Sequence, residues 1–256
     1  MENVLIYSLA AIFIIQVLFF IFASYFKTDK VTDLAYGTTF VILSWALLLI
    51  NKTFDLVHVT LTLMITLWGL RLSGYLFYRI LKTKTDKRFN GIRENFLKFA
   101  MFWIIQTLII FIIMLPVILL LNVKSHIILS IFSIVGFFIW CIGFMIEVVA
   151  DHQKFSFRNK SKNKNKWIDT GLWYQSRHPN YFGEILCWIG VFVYVTPLLT
   201  NLAWVSIFSP ICIIVILLFF SGIPPLEKQA DKLYGKNKEY IKYKKTTNVL
   251  IPWFKN

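Results

Sequence analysis

Acidic residues are scarce in this sequence. Asp and Glu together number 13 against 27 Lys and Arg, and charged side chains of either sign make up only 16% of the 256 residues. Soluble domains carry about a quarter of their residues charged. Set against 57% hydrophobic residues and 25 Phe, the shortage excludes an ordinary soluble domain. Cysteine is scarce too: Cys141, Cys187 and Cys212 all fall inside apolar runs without metal-ligand spacing, which argues against a disulfide framework or a zinc site. No internal repeat is evident. One low-complexity stretch, RNKSKNKNK from Arg158 to Lys166, reads as a solvated basic loop, with anionic lipid or phosphate as the alternative partner.

What is present instead is apolar length. A bilayer core of about 30 Å needs about 20 apolar residues per helix. Runs near that length fall at about 3–26, 35–50, 56–81, 99–121, 127–150, 181–199 and 203–222. The first lacks a basic leader and a small-residue cleavage site, so it reads as a retained helix. The expectation is an all-α membrane protein of about seven transmembrane helices, a single multi-pass domain over 1–256.

The formal charge of +14 invites a nucleic-acid partner, but the positions of the cations argue for lipid instead. Basic residues gather after the first run (Lys27, Lys30), after the third (Arg79 to Lys98), after the fifth (Lys154 to Arg177) and after the seventh (Lys228 to Lys255). The alternate loops hold only Lys52 and Lys124. This alternation predicts an N-terminus outside and a C-terminus in the cytoplasm, in a bacterial inner membrane or the endoplasmic reticulum.

An ionisable side chain inside a span costs a few kcal/mol, so each is a candidate for function. Glu147 and Asp151 stand four apart on one helical face near the cytoplasmic boundary, and Arg158 continues that face if the helix does. They read either as an ion-pair network between helices or as a wall accepting hydrogen bonds from ribose hydroxyls or an amide. Arg71 sits mid-span in LWGLRLSGYLFYR, either as a bridge to a carboxylate or as a fork on a phosphate. In SRHPNYFGE, Pro179 predicts a helix start at about His178 to Asn180. Backbone donors, Arg177 and His178 then gather where an anion would bind. Asn180 and Glu184 share a face, and Gly183 between them leaves room for a ligand or a neighbouring backbone. The tail beyond SGIPPLEK reads chiefly as an interfacial helix held by lysines, with Glu227 at its start. Most of this chemistry falls within approximately 140–256, the expected cofactor-binding half.

The string DTGLWYQSRHPNYFGEILCWIG, with EVVADHQKFSFR before it and SGIPPLEK after it, resembles a membrane-protein family of unknown function grouped with the steroid 5α-reductases. DLAYGTTF and LWGLRLSGYLFYR extend the likeness over nearly the whole chain. A shorter R-H-P-x-Y signal is similar to that of isoprenylcysteine carboxyl methyltransferases, which use S-adenosylmethionine. The resemblance to the reductases implies a seven-helix bundle holding NADPH, with Arg71, Asp151, Arg158, Asn180 and Glu184 among the binding residues. Glu147 stands where the animal reductases carry asparagine. Those reductases polarise the enone with a Gln-Glu pair on an early helix and a Tyr three residues before the helix-three Arg. Here that last position is Trp68, and Asp33 and Tyr36 are the early-helix candidates for the catalytic role.

The leading expectation is an NADPH-dependent reductase of an activated carbon–carbon double bond in a lipophilic, steroid- or enone-like substrate. Arg71, Arg158, Arg177 and His178 would face phosphate; Glu147, Asp151, Asn180 and Glu184 would hold sugar or amide groups. The alternatives are a lipid or isoprenyl methyltransferase with S-adenosylmethionine in the same place, and a non-enzymatic lipid-binding membrane protein.

Overall fold

Seven helices in this computed structural model, which describes residues 2–83 and 89–253, are long and apolar enough to cross a membrane. Lys84, Lys87, Arg88 and Lys255, counted among the basic loops above, lie outside the described residues. The helices are α1 (Glu2–Tyr25), α2 (Thr32–Asn51), α3 (Leu56–Thr83), α4 (Phe96–Leu121), α5 (Ile131–Arg158), the single turn α6 (Leu172–Gln175), α7 (Pro179–Val195), α8 (Phe208–Val215), α9 (Ile223–Tyr234) and α10 (Lys238–Thr246). The protein is an all-α, multi-pass membrane protein. Among the described residues the only β pairing is an isolated parallel bridge between Ser176 and Asn248.

Helix ends follow local capping more than the apolar runs do. α4 starts ahead of its run because Asn95 caps it, accepting from Lys98 N at 3.1 Å. α5 starts after its run does, where Ser130 Oγ accepts from Ser133 N, and it continues past Asp151 to Arg158. The seventh span, Asn201–Tyr234, is not uniform α-helix. A 3-10 turn (Asn201–Ile207) leads into α8, a π-turn (Ile216–Phe220) ends it, and the chain breaks at Ser221–Gly222 before Pro224 and Pro225 open α9.

The chain groups into two compact units: residues 1–133 with 195–209, and residues 134–194 with 210–256. In the first, α2 and α3 touch backbone to backbone, since a Cβ on Gly69 would lie 2.9 Å from the carbonyl oxygen of Gly37. Gln16, fully buried on α1, donates to Thr39 Oγ1 on α2 at 2.8 Å and accepts from Gln106 Nε2 on α4 at 2.9 Å. Amides in hydrocarbon must find partners, so this triad fastens three helices. At the helix ends, Asp55 accepts from the backbone N–H groups of Val57, His58 and Ile127. The His58 ring, wholly buried, lies 2.8 Å from Asp55 Oδ2 and 3.0 Å from the Val123 carbonyl. Those contacts tie the start of α3 to the segment following α4.

In the second unit, glycines bring α5 and α7 together as antiparallel neighbours. A Cβ on Gly143 would lie 2.6 Å from the carbonyl of Gly183, and one on Gly190 would lie 2.7 Å from that of Gly136. Gly183 therefore makes room for the α5 backbone. Trp188 and Tyr194 on α7 are almost wholly buried.

Candidate functional site

Residues 176–184 of the second unit carry the densest polar cluster, and the C-terminal segment builds much of it. Arg177 N donates to the carbonyl of Asn248 at 2.9 Å, Ser176 Oγ to that of Leu250 at 2.7 Å, and Tyr243 OH to that of Trp173 at 2.7 Å. The tail is thus hydrogen-bonded along the strand-like step into α7. The guanidinium of Arg177 donates from Nε to Glu227 Oε1 at 3.1 Å and from Nη1 to the carbonyls of Lys244 and Thr247. Lys244 completes the network, 3.3 Å from Glu227 and 2.6 Å from Asp231. Burial alone would lower the Lys244 pKa, but its bonds to Asp231 and Glu227 outweigh it and hold the ammonium above its usual value. Tyr240 is pushed up by burial and by Asp231, to which its hydroxyl donates at 3.3 Å.

His178 is 5% exposed, stacks on Tyr181 with ring centroids 5.7 Å apart, and places Nε2 2.9 Å from Glu227 Oε1. Burial pushes its pKa below the usual histidine value, against the opposing pull of Glu227. Its Nδ1 is buried with no hydrogen-bond partner among the described residues, and the same holds for Asn180 Oδ1 on the first turn of α7. Pro179 opens that helix as its spacing predicts, since the missing N–H costs nothing there.

At the end of α5, Glu147 is 2% and Asp151 9% exposed, whereas Arg158 is exposed. The surrounding frame is aromatic: Trp173 donates to the carbonyl of Ala150 at 3.0 Å, and Lys154 Nζ lies 4.3 Å from the Trp173 ring centroid. Gly171, at φ 64°, turns the chain into α6, where Leu172 N donates to Gln153 Oε1. A bowl of about 980 Å³ opens nearby, with Trp167, Tyr174, Lys242, Tyr243 and Trp253 among its lining residues.

Asp33, Tyr36 and Arg71 belong to the first unit. Asp33 lies 3.7 Å from Arg79, and Tyr36 packs edge-on against Phe40 and Trp68. Arg71 is half-buried on α3. Within the second unit, Arg177 and His178 converge on Glu227, Glu147 and Asp151 share a face of α5, and Asn180 and Glu184 share a face of α7, Glu184 being half-buried. The sequence reading missed Asp231, Tyr240, Tyr243 and Lys244. Their signal was a pair of acids, Glu227 and Asp231, four apart on one helical face in an otherwise lysine-rich tail.

Fold and site together define a multi-pass helical membrane protein that buries ionisable side chains near the start of α7. The chain belongs to the family described as Protein of unknown function (DUF1295), which matches residues 19–247. No curated protein and no solved structure matches it.

Proposed function

We propose that the protein is a membrane-embedded reductase that uses NADPH to reduce an activated carbon–carbon double bond of a lipophilic, enone-like substrate. The observation that carries this reading is the buried Asn180 Oδ1, an acceptor on the first turn of α7 without a hydrogen-bond partner among the described residues. A carboxamide N–H or a ribose hydroxyl is the kind of donor such an acceptor takes. Buried acceptors at Glu147 and Asp151 suit the same sugar and amide groups, and the exposed Arg158 suits a phosphate. NADPH would supply hydride to the substrate's electrophilic carbon. The protein's own residues would bind and orient it: Asn180 and Glu184 from α7, Glu147 and Asp151 from α5. Sequence motifs of steroid 5α-reductase type support this choice of reaction.

A second reading, methyl transfer from S-adenosylmethionine, is favoured by the buried carboxylates, which suit a sulfonium and an ammonium better than phosphates. Titration of detergent-purified protein with each cofactor separates the two, read by thermal stabilisation and by energy transfer from tryptophan to dihydronicotinamide. A cofactor at about 100 times its Kd stabilises by roughly 2.7 kcal/mol. Asn180→Ala and Asp151→Ala are expected to lose NADPH-dependent stabilisation while keeping the unliganded melting temperature. Stabilisation by S-adenosylmethionine alone would replace the reductase with the methyltransferase. Response to neither would leave a lipid-binding membrane protein.

A further inference from the structure

The start of α7 was expected from sequence to bind an anion, through backbone donors, Arg177 and His178. The structure fills that role internally. Glu227 already stands against both side chains, and the remaining donors of Arg177 toward the tail are taken by the carbonyls of Lys244 and Thr247. A carboxylate facing the Arg177 guanidinium and the Lys244 ammonium is ionised and can only accept. The nitrogen of His178 that faces it, Nε2, must therefore carry the proton. The other nitrogen, Nδ1, is then a lone pair, buried and unpartnered.

We propose that Glu227 is a positioning residue that locks His178 as the Nε2–H tautomer, so that the buried Nδ1 selects an N–H or O–H donor of a ligand. The start of α7 takes the donor-bearing end of a cofactor, an amide, hydroxyl or amino group, and its phosphates bind elsewhere. The surrounding charges agree with a neutral ring. Arg177 and Lys154 are cations that act against a charge on His178, Glu227 acts the other way, and burial disfavours a further positive charge. The ligand's identity rests on the cofactor reading above; the tautomer does not.

The test has two arms. In the first, the four histidines are labelled with nitrogen-15, and the His178 signals are assigned by their loss in His178→Gln. The ligand-free protein near pH 7 is expected to show a protonated Nε2 and a bare Nδ1, and Glu227→Gln is expected to mix the two tautomers. A protonated Nδ1 or an imidazolium in the wild type overturns the proposal. In the second arm, NADPH, S-adenosylmethionine and inorganic pyrophosphate are titrated against wild type, His178→Gln and His178→Asn. The Gln side chain reaches toward the Nε2 position and keeps a donor for Glu227; Asn keeps an acceptor near the Nδ1 position. Losing an acceptor for a buried donor costs about tenfold in affinity, so His178→Gln should weaken the bound cofactor by about that factor, with His178→Asn retaining part of it. Equal affinity in wild type and His178→Gln, or pyrophosphate binding that depends on His178, overturns the proposal. If neither cofactor binds the wild type, the cofactor reading falls, and the ligand-free spectrum alone decides whether Glu227 sets the tautomer.

Discussion

Asp55 illustrates how much a single buried carboxylate can organise. Burial would raise its pKa, but hydrogen bonds from the ring and backbone of His58 and from Ile127 N outweigh that and hold it below the usual value. Its folded-state pKa being depressed, the stability it contributes is fully present above the unfolded value of about 3.9 and is lost as pH falls through the lower folded value. Asp55→Asn is expected to lower stability at neutral pH by about 2 kcal/mol, the scale of a hydrogen bond to a charged group. It should also flatten the acid limb of stability against pH, measured by thermal unfolding in detergent between pH 3 and 7. An unchanged acid limb would show that other carboxylates set it.

Helix pairs in both units are specified by small residues, because lipid offers no hydrophobic drive for one apolar helix to leave it for another. Close backbone approach then decides which faces meet. A Cβ on Gly183 would fall 2.6 Å from the Gly143 carbonyl and 2.7 Å from Glu147 N, and neither is the end of a flexible side chain. Gly183→Ala should therefore cost about 1–3 kcal/mol, as overpacking does. Gly74, also helical, meets nothing within 4 Å of an added Cβ. Gly74→Ala is expected to stabilise by about 0.5–1 kcal/mol through helix propensity alone. Comparing the melting temperatures of the two variants separates packing from propensity; similar shifts in both would remove the packing argument.

Across the whole molecule, the distribution of cations makes a topological prediction. In a cysteine-free background, Lys52→Cys and Lys124→Cys should react with a membrane-impermeant maleimide in intact cells. Lys162→Cys should react only after permeabilisation. Labelling of Lys162→Cys in intact cells would invert the orientation inferred from the basic loops. Apolar helices facing lipid and basic loops facing the opposite phase are properties of composition over tens of residues, which is why the sequence carries them so openly.

The sequence by itself determined the number of spans and the start of α7 at Pro179, because bilayer thickness and proline geometry act on local stretches of chain. It also singled out His178 and Asn180 as candidates, since polar groups at a span's edge are costly without a use. Tertiary structure alone decided what those residues face. The tail, read as a lysine-held interfacial helix, also buries Tyr240 and delivers Lys244 to Glu227 and Asp231, and Glu227 crosses 49 positions of sequence to meet His178. That meeting sets a carboxylate against the side chains expected to face an anion. A hydrogen-bond partner so distant along the chain leaves no local pattern, because it is set by how α7, α9 and α10 pack and not by the spacing of residues within any one of them.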